Sequence, residues 1–211
     1  MRDSFSQSLG RRSAILGTGA LILSACTVLR GPVIPQLYVL RPQVPPSMGP
    51  RVNWRLVVAA PDAVASLDTQ RIALTRSATT MDYFANAAWT DRVPLLFQRQ
   101  LIQAFDSSGR ILSVDRDTSG VEADYVLQTE IREFQARYDS PEGAPQIVIT
   151  IQAKLARMPQ REIAANLNVA QQTAAAANDL DSIVVAFNQA AGAAIAQIVG
   201  GTLAMPSPPG G

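Results

Sequence analysis

Cysteine occurs once in the 211 residues, lysine once and histidine not at all. Without imidazole there is no Ser-His-Asp triad, no Cys-His pair, no HExxH zinc site and no histidine acid–base relay. A single thiol, Cys26, makes neither an internal disulfide nor a cysteine zinc cluster. The tightest carboxylate pairs are Asp115-Arg116-Asp117, which reads as a loop ahead of a strand, and Asp179-Leu180-Asp181, which reads as a helix start, where acids suit the dipole. Glu130 and Glu133 lie in a strand pattern and are expected on opposite faces, unable to converge on one substrate. Lys154 is expected solvated on an outward strand face. Gly17-Thr18-Gly19 precedes Cys26, and no glycine-rich phosphate loop follows it. No catalytic residue, metal ligand set or cofactor site is assigned, and the chain is not expected to be an enzyme.

What remains for the thiol is modification. Residues 1–25 open with Arg2, Arg11 and Arg12, run through the apolar stretch Ala14 to Leu23 and close on Ser24-Ala25, the three parts of a secretory signal. The apolar stretch would span roughly 15 Å as a helix, half of a ~30 Å hydrocarbon core, so it is expected to be removed rather than kept as an anchor. Leu23-Ser24-Ala25-Cys26 is similar to the bacterial lipoprotein box, in which the cysteine sulfur takes a diacylglycerol and the freed amino group a third acyl chain. At ~0.8 kcal/mol per buried methylene, two or three such chains hold a domain on a membrane stably. Arg11-Arg12 is loosely similar to a twin-arginine export signal, which leaves the export route open. Thr27 follows the cysteine where an aspartate would be the usual inner-membrane retention cue, so the periplasmic face of the outer membrane is favoured over that of the inner.

The elements that follow belong to one domain. Hydrophobic residues make up 47%, charged residues 17% and aromatics 6%, and 18 basic against 17 acidic residues leave +1. That balance carries no footprint for nucleic acid. Residues 26–50 read as the lipidated cysteine and a proline-rich tether with one short strand at Gln36 to Leu40. Residues 51–203 read as the globular domain and 204–211 as a disordered tail. Strands are expected at Trp54 to Ala60, Arg71 to Arg76 and Arg110 to Val114, and an antiparallel meander at Tyr125 to Ile131, Ile147 to Leu155 and Glu162 to Val169. A helix is expected over Trp89 to Phe105, either beginning near Arg92 or kinked there, because Pro94 is tolerated only near a first turn. A second, capped by Asn178 or Asp179, is expected to end at Gly200-Gly201. The fold class is α+β: a single domain with a largely antiparallel sheet and two main helices packed on it.

Tyr83, Phe84 and Trp89 concentrate aromatic surface in one short stretch. They read either as core residues that fix the helix to the sheet or as anchors for a protein partner, and they are the candidate interface residues. Small residues on the last helix, Ala190, Gly192, Ala193 and Ala194, allow close approach to the sheet or to a second copy, so a homo-oligomer is one expectation.

Several of these segments, in this order, resemble one family: the box at Cys26, Gln36-Leu37-Tyr38-Val39-Leu40, Leu67-Asp68…Arg71-Ile72, Tyr83-Phe84-Ala85-Asn86-Ala87-Ala88-Trp89…Pro94-Leu95-Leu96, Ala123-Asp124-Tyr125-Val126-Leu127 and Val185-Ala186-Phe187-Asn188-Gln189-Ala190. They are similar to the ABC-type transport auxiliary lipoproteins, although that family more often has a second tyrosine where this chain has Phe84. The resemblance implies a lipid-anchored accessory subunit of an MCE-type ABC system that moves phospholipids or other hydrophobic molecules between the two membranes. Its partners would be the MCE-domain protein and other transporter subunits. Direct carriage of a lipid or small ligand, or a general scaffold role in the envelope, are the alternatives.

Overall fold

Period-two alternation builds the longest strands. The computed structural model describes residues 34–140 and 142–206. In chain order the elements are β1 (Gln36–Tyr38), β2 (Arg55–Val58), β3 (Asp62–Ala63), β4 (Arg71–Thr75), β5 (Met81–Trp89), α1 (Val93–Ser108), β6 (Ser113–Arg116), β7 (Tyr125–Arg137), β8 (Gln146–Arg157), β9 (Glu162–Ala174) and α2 (Leu180–Leu203). Tyr125, Leu127 and Ile131 of β7, Ile147, Ile149 and Ile151 of β8 and Val169 of β9 are buried on one face, while Gln128, Glu130, Lys154, Asn166 and Asn168 stand exposed on the other. Those three strands form the expected antiparallel meander.

The other edge of β7 is shared by three strands in turn. Parallel to it run β2 at Tyr125 to Leu127, β3 at Glu130 and Ile131, and β4 at Ala136 and Arg137. β6 extends the sheet beyond β2, and β5 and then β1 extend it beyond β4. The sheet is therefore mixed, antiparallel in its long pairings and parallel in most of its short ones. Both helices pack on the buried face, where Phe97, Leu101 and Phe105 of α1 and Phe187, Ile195 and Ile198 of α2 join one core with Trp54, Trp89, Tyr125 and Phe134. The α+β class is borne out.

Local signals set the ends of the helices. Pro94 sits in the first turn of α1, and Gly109 closes that helix in the left-handed conformation at φ 62°. Asp179 caps α2, its carboxylate accepting from the Ser182 N–H at 2.9 Å. α2 is long and apolar enough to cross a membrane by length and composition, but most of that stretch is buried against the sheet, as befits a core helix.

Several expectations need correction. α2 runs through Gly200-Gly201 to Leu203, because a glycine with helical neighbours costs only about 1 kcal/mol and the packed face carries the helix onward. Trp89 belongs to β5, and the first helix starts four residues later. β6 starts at Ser113 rather than Arg110. A register shift between Ile131 and Glu133 sets Glu130 opposite Gln152 and Glu133 opposite Thr150. The extra residue restores both glutamates to the outer face, so they share it rather than oppose each other. Residues 34–50 are not a free tether: Leu40 is buried, and the Arg110 guanidinium holds Pro50 O at 3.1 Å and the Ser47 hydroxyl. This segment crosses α2 so closely that a Cβ on Gly192 would lie 2.5 Å from the Gln43 carbonyl oxygen. Of the expected tail, Met205 packs on the core and the Tyr125 hydroxyl donates to Pro206 O at 3.0 Å. Residues 1–33, with the signal and Cys26, and residues 207–211 lie outside the described residues.

Candidate functional site

The segment Tyr83-Phe84-Ala85-Asn86-Ala87-Ala88-Trp89 is an irregular stretch of β5. Met81 to Tyr83 pair with Thr75, Leu74 and Ala73 of β4, and Ala88 pairs with Arg71, so four residues from Phe84 to Ala87 lie opposite Ile72 alone. The excess is taken up around Asn86, whose φ of 56° lies in the left-handed region that asparagine tolerates better than most residues. Beyond the bulge, Ala87 to Trp89 run parallel to β1.

The bulge sorts the three aromatic candidates. Tyr83 is half-buried, its hydroxyl donating to Ser66 O at 3.0 Å, with the Arg71 guanidinium 3.7 Å above its ring. Phe84 is also half-buried and lies against Tyr138, ring centres 6.5 Å apart. Trp89 is 1% exposed and meets Phe187 edge-on at 5.3 Å and Phe134 at 6.2 Å. Trp89 is therefore a core residue and is withdrawn from the interface candidates: placing it at the end of β5, opposite α2, turns its ring inward. Arg71 joins Tyr83 at the surface, and only its place in the ordered family segments hinted at that.

The acidic pairs have structural work. Asp117 accepts from the Ala60 N–H at 3.3 Å and from the buried Gln98 amide at 3.4 Å, and so fastens the chain leaving β2 to α1. Asp179 is the helix cap, its carboxyl held below the usual range by the Ser182 backbone N–H first and the Ser182 hydroxyl second. Asp181 accepts the Tyr38 hydroxyl at 3.3 Å. Among the described residues no three acidic or sulfur side chains converge as a metal site would require.

Large side chains fill the space between sheet and helices among the described residues, and two concavities lie at the surface. One of about 480 Å³ opens on the outer face beside β3, lined by Ala60, Asp62, Gln128, Glu130, Gln152 and Lys154. Another, of about 230 Å³, lies between the proline-rich segment and the two helices, lined by Pro42, Val44, Pro45, Gln103 and Ala196 among others.

Residues 38–199 match the model of the ABC-type transport auxiliary lipoprotein component family. The chain belongs to this family. The match starts at the last residue of β1 and takes in the β5 bulge, the meander and nearly all of α2, so the auxiliary lipoprotein domain begins within the segment expected as tether. Among solved structures, the auxiliary lipoprotein is similar to protein XCC0632 from Xanthomonas campestris, at 26% identity and a TM-score of 0.75, covering 80% of this chain and 94% of that one. A second solved structure shares the fold at 16% identity and a TM-score of 0.62, covering 79% and 97%. A Bradyrhizobium diazoefficiens protein, bll6063, is 29% identical over 167 residues, which are 78% of the auxiliary lipoprotein but 44% of that longer relative.

Proposed function

We propose that this auxiliary lipoprotein is anchored through acyl chains on Cys26 at the periplasmic face of the cell envelope, the outer membrane rather than the inner. There it serves an MCE-type ABC system that moves phospholipids or other hydrophobic molecules between the membranes, acting by docking to the MCE-domain protein and other transporter subunits. The observation that carries the reading is the family match across residues 38–199. It is supported by the lipoprotein box at Cys26 and by the exposed Arg71 with the half-buried Tyr83 and Phe84, which offer aromatic and guanidinium surface to a protein partner. Holding a partner's periplasmic end at a bilayer raises its local concentration and requires no reacting group.

The test is affinity capture of the full-length lipidated protein from native membranes. Co-recovery of MCE and permease subunits, reduced by Tyr83→Ala, supports the reading; repeated recovery with no transport subunit overturns it. The alternative, a direct carrier, needs an apolar cavity that encloses most of its ligand. The packed core and open surface grooves favour docking, and lipid that co-purifies stoichiometrically with the delipidated and re-exposed protein would reverse that preference.

A further inference from the structure

Three of the exposed large aliphatic residues among the described ones fall within six positions at the start of the fold: Ile34 at 88% exposure, Leu37 at 59% and Val39 at 41%. Leu37 and Val39 are two apart, so they share one face, while Tyr38 and Leu40 turn toward the core. β1 is the terminal strand of the sheet, with β5 as its one neighbour. One of these side chains lies on a three-residue edge strand and two flank it, with no charge among residues 34–40, and such a clustered aliphatic patch marks a contact surface.

The sequence itself limits what that surface meets. Ile34 lies eight positions after Cys26, a distance the chain can stretch to no more than roughly 29 Å even when fully extended. The acyl chains and this strip are therefore confined to the same neighbourhood, and the aliphatic residues lie where the chain enters the fold. We infer that Ile34, Leu37 and Val39 rest in the headgroup and upper acyl region of the phospholipid bilayer that holds the anchor, and that the domain is thereby oriented with its β1 edge on the membrane. β1 is reached from the C-terminal end of β7, through β4 and β5, and β6 from its N-terminal end, through β2, so the two edge strands are separated along the length of β7. This inference rests on the acyl anchor at Cys26 and goes beyond it, since an anchor alone fixes distance but not orientation.

The anchor also supplies the test. With the only native thiol blocked by diacylglycerol, a cysteine placed at Leu37 can be labelled alone with an environment-sensitive dye in the full-length lipidated protein, reconstituted into phosphatidylcholine and phosphatidylglycerol vesicles. Leu112, 49% exposed just before β6, is the matched control. The expected result is a blue-shifted dye at 37 that loses most of its emission to brominated phospholipid, a dye at 112 that responds to aqueous iodide instead, and loss of the lipid quenching at 37 when Ile34→Asp and Val39→Asp are added. If the protein floats with the vesicles but both dyes respond only to iodide, the anchor stands and the orientation is overturned. If the dye at 37 is shielded from iodide yet untouched by brominated lipid, the strip is covered by protein and the inference fails. If Cys26 itself takes label and the protein does not float, the anchor and the inference fall together.

Discussion

Single side chains separate what holds this fold from what is left over for a partner. Trp89 closes an aromatic cluster with Phe134 and Phe187, so Trp89→Ala should cost about 3–5 kcal/mol in denaturant unfolding. Tyr83→Ala removes a half-buried ring and one hydrogen bond to Ser66 O; it should cost about 1–2 kcal/mol and, if the docking reading holds, lower partner capture by more than that loss explains. Ionisation supplies a second check. The Asp106 carboxyl is held above the usual carboxylate range, first by partial burial and then by the charge of Asp115. A raised folded-state pKa means that the ionised form costs stability, a cost fully present above that pKa and relieved as pH falls through it toward the ordinary value near 4. Asp106→Asn should therefore raise the melting temperature at pH 7, by no more than about 2 °C because the group is mostly solvated, and the advantage should close as the pH is lowered. Scanning calorimetry across pH reads both directions.

The elements show which parts of the fold local sequence can specify. The meander was legible because the alternation in β7 and β8 is long and its turns carry proline and glycine. The helix starts were legible from Pro94 and Asp179. The gathering of β2, β3 and β4 along one edge of β7 was not, because those pairings join residues far apart in sequence and leave no periodic trace. Nor could alternation foresee the extra residue near Arg132 or the excess around Asn86, each of which changes which face a later side chain takes. For the candidate site, the aromatic stretch was visible, but separating Trp89 from Tyr83 and Phe84 required the bulge. The proline-rich segment misled for a related reason: its composition suits a tether, while its packing depends on a groove built by distant helices. That packing gives a prediction for α2. Gly192→Ala must push a side chain into the Gln43 carbonyl and should destabilise by about 1–3 kcal/mol, whereas at Gly200 nothing lies within 4 Å of a new Cβ and alanine should stabilise by up to about 1 kcal/mol. Urea midpoints of the two variants should move in opposite directions.

The described molecule combines a packed core with a mixed sheet that has one open face, and its sequence carries a lipoprotein-like box eight positions ahead of Ile34. Under the proposed anchoring, Cys26→Ser should leave the fold intact and shift the protein from the membrane pellet to the soluble fraction, with capture of transport subunits falling through lost proximity. Fractionation followed by capture measures each loss separately. The direction of β1 matters once such a molecule is held at both ends. β1 runs parallel to β5, and the chain beyond it is fixed by the Arg41 N–H to Asn188 Oδ1 at 2.7 Å before passing Gly192. Tension applied at Ile34 along the strand axis loads those bonds in shear, so they share the strain and yield together instead of unzipping one after another. The entry of the chain into the fold is thereby a mechanically resistant grip, the property that the proposed anchoring and docking would require of it.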